Sequence, residues 1–183
     1  MTTQALIVID VQNAIDDPKW DRRGQPEAEA MIARLLAAWR ERRLPVVHIR
    51  HDSTDPASPY RPGTEGNEFK REVAPQMGEP IIDKRTNNAF IGTDLMDVLD
   101  ELQVRSLVVT GVLLENSVDA TVRMAAGLGF EVLVPGDAVA SIDRKDYRGK
   151  QWTAEDVHAL SLSVLNGEYA QITTSQAIIE TLP

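Results

Sequence analysis

Short runs of valine, isoleucine and leucine alternate along this chain with longer segments whose apolar residues recur at helical spacing, from one end to the other. That alternation restricts the fold more than any other feature. Six runs, at 5–10, 45–50, 80–84, 106–112, 131–135 and 169–174, read as strands, and most are near-continuous in apolar residues, as strands buried on both faces of a parallel sheet are. Between the first two, the segment 27–43 sets Ala28, Met31, Ile32, Leu35, Leu36 and Trp39 on one helical face. Thr93 is placed to cap a second helix with inner face Leu95, Val98, Leu99 and Leu102, and Ser117 to open a third carrying Val118, Thr121, Val122 and Ala125. A fourth starts near Thr153, with Glu155 and Asp156 in its first turn, where the helix dipole favours acids. The predicted architecture is an α/β fold, a doubly wound three-layer α/β/α sandwich on a six-stranded parallel sheet with right-handed crossovers.

A chain of 183 residues, 43% hydrophobic, has room for one sizeable core, so a single domain over 1–183 is expected. With 28 acidic against 19 basic side chains the net charge is −9, and the basic residues cluster only in short runs such as 40–43. Nucleic acid is therefore excluded as an expected partner. There is no cysteine, which removes disulfides and thiolate metal clusters. The chain passes from Met1 into Leu6-Ile7-Val8-Ile9-Asp10 with no basic leader and no apolar stretch near the roughly 20 residues of a membrane span. A soluble, cytoplasmic protein without membrane contact is the expectation. Two segments break the alternation. Residues 51–75, with Pro56, Pro59, Pro62, Gly63 and Gly66, read as a functional loop or lid, and 143–151 as a second, polar and mobile one.

In open α/β sheets ligands bind outside the carboxyl ends of the strands, where loops splay apart and helix N-termini point at the crevice. Asp10, His51 with Asp52, Lys84 and Ser117 all fall at such ends. A carboxylate closing a wholly apolar strand needs a partner, and Lys84 can pair with it and hold it ionised. Taken singly, Asp10 reads equally as a cap or salt-bridge residue, Lys84 as a surface charge and Ser117 as an N-cap. Their conjunction makes an active site. His48 in mid-strand and His158 on the fourth helix read as structural, and Trp20 and Trp152 as covers for a ligand or as packing at a subunit contact.

Several stretches resemble the isochorismatase-like cysteine hydrolases, a family that includes nicotinamidases, N-carbamoylsarcosine and ureidoacrylate amidohydrolases and the isochorismatases. They are Ala5-Leu6-Ile7-Val8-Ile9-Asp10-Val11-Gln12-Asn13, Gly78-Glu79-Pro80-Ile81-Ile82-Asp83-Lys84, Asn88-Ala89-Phe90-Ile91-Gly92-Thr93-Asp94-Leu95, residues 111–125, and Gly129-Phe130-Glu131-Val132 through Gly136-Asp137-Ala138-Val139-Ala140-Ser141. The resemblance spans nearly the whole chain. It implies a catalytic Asp-Lys-Cys triad at Asp10, Lys84 and Ser117, a non-proline cis peptide at Val112-Leu113, and an oxyanion hole from the backbone N–H groups of Leu113 and Ser117. It further implies a substrate pocket lined by Gln12, Asn13, the loop from His51 to Phe69, Asn88 and Phe90, a loop motif at Pro59-Tyr60-Arg61-Pro62-Gly63-Thr64, and cleavage of a non-peptide C–N bond in a small molecule.

Serine at position 117 departs from the family pattern, because a hydroxyl is far less acidic than a thiol and no histidine is marked as its base. Three readings stay open. The serine replaces a cysteine in an inactivated amidohydrolase; or Asp10 protonates a vinyl ether, as in isochorismatases, while Ser117 positions substrate; or the chain is a ligand-binding pseudoenzyme. Nicotinamidases of this family hold zinc with an Asp and histidines after the second strand. The matching His51-Asp52-Ser53-Thr54 is followed by no histidine until His158, so no metal and no cofactor are expected. Family members are commonly homodimers or homotetramers, and the second and third helices are the expected contact faces.

Overall fold

The computed structural model describes residues 3–183. In chain order the elements are β1 (Thr3–Ile9), α1 (Ala28–Glu41), β2 (Val46–His51), β3 (Ile81–Lys84), α2 (Leu95–Glu101), β4 (Val104–Val112), α3 (Asp119–Gly127), β5 (Glu131–Pro135), β6 (Val139–Ala140), β7 (Arg144–Lys145), β8 (Gln151–Trp152), α4 (Ala154–Leu165), β9 (Gln171–Thr173) and α5 (Ser175–Thr181). The main sheet is parallel in the order β3-β2-β1-β4-β5-β9, with β6 added on β4 beyond the end of β5. The six expected strands all form. The two-residue β6 is a seventh that the sequence does not announce.

Continuous apolar runs follow from burial of both sheet faces. On β1, Ala5, Ile7 and Ile9 face the layer of α2, α3 and α4, while Leu6 and Val8 face α1 and α5. Helix α1 buries Ala28, Ile32, Leu35, Leu36 and Trp39, the stripe its periodicity predicts. Helix α4 opens at Thr153, whose side chain accepts the Asp156 N–H.

The chain runs outward from β1 through β2 and β3, then crosses back to β4 and proceeds through β5 and β9 the other way. The order therefore reverses between β1 and β4, and that reversal opens the crevice where such folds place ligands. Ile9 pairs with Gly111 there. Gly111 has φ 120°, and a Cβ on it would lie 2.1 Å from the Ile9 carbonyl oxygen, so only glycine lets the two strand ends close up.

Several expectations are corrected. Thr93 does not cap α2; Asp94 occupies that position, and the Thr93 hydroxyl donates to the Ala89 carbonyl at 2.5 Å. Ser117 does not open α3, because the chain coils from Leu114 in one π-helical turn, Leu114–Val118, that runs into α3. Residues 143–151 lie in and around an antiparallel β7–β8 hairpin rather than a loose loop. The 51–75 loop is pinned by buried Asn67, whose amide donates to the carbonyls of His51 and Tyr60 and to the Asp52 carboxylate at 3.0–3.1 Å. Helix α5 was not expected; its seven residues bury only Ser175 and Ile178, too few to give a periodic signal. No helix among the described residues is long and apolar enough to cross a membrane.

Candidate active site

Three strand ends deliver the site. Asp10 follows β1 directly in a left-handed conformation, φ 56°, which a short polar side chain tolerates better than most. Lys84 ends β3, two strands away, and its side chain reaches across the end of β2. Ser117 sits inside the π turn after β4. The added residue of that turn moves Ser117 off the cap position, so its hydroxyl is not spent on the helix N–H groups.

The Lys84 ammonium is the hub. Its Nζ donates to Asp10 Oδ2 at 2.7 Å, to the Thr86 carbonyl at 3.1 Å and to Ser117 Oγ at 3.3 Å. His51 Nδ1 faces it at 3.5 Å, which requires a lone pair on that nitrogen. Burial first, and the Lys84 charge second, hold His51 below its usual pKa and keep the ring neutral near pH 7. All three groups are nearly closed to solvent, with Asp10 and Ser117 at 5% and Lys84 at 1% exposure. A buried ammonium is tolerable only beside such a carboxylate. Asp10 Oδ1 is buried and has no hydrogen-bond partner among the described residues, a condition it shares with Glu115 Oε2, Trp39 Nε1, His48 Nδ1 and Ser141 Oγ.

Asp10 and Ser117 floor a cavity of about 280 Å³, with Lys84 bonded to both from outside its lining. Asp10, His51, Leu113 and Ser117 line it, with Trp20 and Tyr60 as an aromatic wall and Arg144 and Asn116 as polar lining. Tyr60 stacks edge-on to His51 at 5.6 Å and tilts against Trp20 at 6.2 Å. Burial, reinforced by the Asp10 carboxylate, pushes the Tyr60 phenol above its ordinary value, so it stays protonated. The Val112-Leu113 peptide bond is cis.

Of the residues singled out to line the pocket only His51 does so, and the loop that follows it contributes Ser53, Asp55, Ser58 and Tyr60. Gln12 is fully buried and clamps the loop, accepting the His51 N–H at 2.8 Å and donating to the carbonyls of Asn67 and His51. Asn13 donates to the Glu65 carbonyl in a separate shallow depression. Asn88 spans the Ala120 carbonyl and the Phe90 N–H, and Phe90 packs on Phe130 at 6.1 Å. In each case backbone groups or the core have already taken the side chain. Trp152 lies outside this cavity, in an apolar groove against α4. His48 pairs with Glu79 at 2.9 Å, and His158 bonds the Gly136 carbonyl at 2.8 Å. Among the described residues no group of three or more His, Cys, Asp or Glu side chains is placed to hold a metal ion.

A doubly wound sheet with a carboxylate, an ammonium and a hydroxyl at its switch point describes a class of small-molecule hydrolases. Residues 4–177 match the Isochorismatase domain family, and the chain belongs to it. A crystal structure of an isochorismatase-family protein of Chromobacterium violaceum superposes with a TM-score of 0.93 at 49% identity, covering 98% of this chain and 92% of that one. The isochorismatase family protein YrdC of Bacillus subtilis is 38% identical over 176 residues, 96% of this chain and 94% of that protein. A streptothricin hydrolase of Streptomyces noursei is 38% identical over 143 residues, 76% of this chain and 50% of that protein. The family's members include a nicotinamidase and a ureidoacrylate amidohydrolase that match this chain at lower identity.

Proposed function

We propose that this protein is an amidohydrolase-type scaffold that binds a small non-peptide amide, with Asp10, Lys84 and Ser117 as its catalytic groups. The supporting observation is the single Lys84 ammonium holding both the Asp10 carboxylate and the Ser117 hydroxyl inside one cavity. In this reading the substrate carbonyl oxygen lies against the backbone N–H groups of Leu113 and Ser117, where developing negative charge is stabilised. Asp10 accepts the proton of the attacking group and returns it to the leaving nitrogen, and water then releases the acyl group with Asp10 as base. A hydroxyl at position 117 slows the first step, because Asp10 is a weak base for so poor an acid. The chain as it stands therefore holds its amide and cleaves it slowly. Ammonia release from a panel of small amides, measured before and after Ser117→Cys, is expected to rise at least about 100-fold on substitution. No rise on any amide would sink the reading.

One observation favours a second reading. Asp10 Oδ1 is left unpartnered, which suits an acid that protonates a vinyl ether while Ser117 only positions substrate. Turnover of isochorismate by the unaltered chain would select it. Silence on both substrates, with and without the cysteine, would leave a non-catalytic binding protein.

A further inference from the structure

We infer that the outer face of α4 is a contact surface between two copies of this chain, packed helix against helix about a two-fold axis near Leu160. From Val157 to Gly167 no residue carries a charge, with histidine neutral, in a chain that is 26% charged. His158 is bonded to the Gly136 carbonyl, which leaves the outer face to Ala159, Leu160, Ser163 and Val164, stacked at the three- and four-residue spacing of one helical face. Leu160 is 62% and Val164 48% exposed, so nothing within the chain covers them. Beside them an apolar groove of about 280 Å³ separates α4 from the β7–β8 hairpin, lined by Trp152, Val157, Leu160 and Lys145. Single apolar side chains at a surface are ordinary, but a charge-free helix face that opens onto such a groove is the surface a buried contact needs.

The occupant is a second copy because the two ends of this face answer each other in charge. At the N-terminal end Lys145 lines the groove, and the Lys150 ammonium lies over the Trp152 ring at 3.5 Å. At the other end the exposed Glu168 follows the last carbonyls of α4, where the helix dipole is negative. Trp152 and Glu168 are equally far along the chain from Leu160. Two antiparallel α4 helices meeting there bring Glu168 of the partner subunit towards Lys150, and a two-fold contact makes that pair twice. Ala159 and Ser163 are small enough to let the helices approach closely, with the partner subunit's Val164 over the groove. Other helices offer less. The exposed positions of α2 include Asp97, Asp100 and Glu101, which would meet their own kind across an axis, and α3 spends Asp119 and Arg123 on each other at 2.7 Å.

The test reads mass rather than turnover, so the contact stands or falls apart from the hydrolase reading. In analytical ultracentrifugation of the full chain over about 1–100 μM, the unaltered protein is expected to sediment as a dimer at the upper end of the range. Leu160→Glu sets two carboxylates beside the axis and should weaken the dimer by at least about 100-fold, and Val164→Lys repeats the test from a second position on the same face. Asp97→Lys, on α2, should leave the dimer unchanged. Glu168→Lys should weaken it about tenfold, and adding Lys150→Glu should recover most of that loss, because the reversed pair attracts again. Far-UV circular dichroism of each variant confirms folding. A monomer at every concentration, a dimer indifferent to both Leu160→Glu and Val164→Lys, no recovery in the charge-swapped variant, or dissociation by Asp97→Lys would overturn the proposal.

Discussion

Two buried ionic clusters lie along neighbouring strands, and they are finished to different degrees. Around Glu79, just before β3, Oε1 accepts the Arg40 Nε at 2.7 Å while Oε2 accepts Arg40 Nη2, His48 Nε2 and the Gln76 N–H at 2.8–2.9 Å. Burial pushes this carboxyl up, but Arg40, the Gln76 N–H and His48 together outweigh it and hold it at about 2. Around Asp10 one oxygen meets Lys84 and the other has no hydrogen-bond partner among the described residues. The first carboxylate is fully used by its own protein and braces the fold. The second, beside the cavity, keeps one buried oxygen without a partner, and in the hydrolase reading that oxygen is the one left for chemistry. His48 Nδ1 is also unpartnered, but as the lone pair of a neutral ring it costs less to bury than a carboxylate oxygen.

The contrast can be broken in three ways. The largest effect is expected from Asp10→Asn in the Ser117→Cys variant, which should lower kcat by about 10²–10⁴, since the proton carrier is removed. Glu79→Gln should keep that activity and instead cost on the order of 3 kcal/mol of stability, measured by urea unfolding. If Glu79→Gln cost activity as heavily as Asp10→Asn, the two clusters would not differ in kind. The smallest effect is on pH. Glu79 titrates lower in the fold than in the open chain, so its contribution is complete above about 4.5 and is lost as pH falls towards 2. His48 is held below its usual value by burial, so the unfolded chain takes up a proton that the fold refuses, and stability declines as pH drops below about 6.5. His51 adds to that slope for the same reason. His48→Gln should therefore reduce the decline between pH 7 and 5 without abolishing it, and an unchanged slope would show that the fold takes up the His48 proton as readily as the unfolded chain does.

Much of this architecture is legible in the sequence because burial on both faces leaves an unmistakable mark. The run Leu6-Ile7-Val8-Ile9 has no polar position to disguise it, and the α1 stripe from Ala28 to Trp39 is regular. Asp10 and Lys84 announce themselves as charges that terminate such runs. Adjacency to a strand end, however, does not say where a side chain points. Gln12 is two residues beyond Asp10 and was expected in the cavity, yet the loop's backbone amides consume it entirely. Asn88 fails for the same reason, and Phe90 because its ring packs on Phe130 in the core. Tyr60 falls in the loop expected to line the cavity, whereas nothing in the sequence marks Asn116 and Arg144 as lining residues, because polar segments carry no periodicity from which to infer an inward direction. The composition of 143–151 suggested mobility, and only the Arg144–Trp152 and Lys145–Gln151 pairing shows a hairpin. The π turn has no sequence signature here at all.

Strand β3 is four residues long, pairs with a neighbour on one side only, and carries the Lys84 that joins Asp10 to Ser117. The margins of a sheet open at a lower free energy than its centre. Fraying of this border would pull the ammonium away from Asp10 and Ser117 while β1 and β4 stay zipped together. In the hydrolase reading, competence is thus tied to a short border strand, and mild denaturant would silence the site while circular dichroism still reported an intact sandwich.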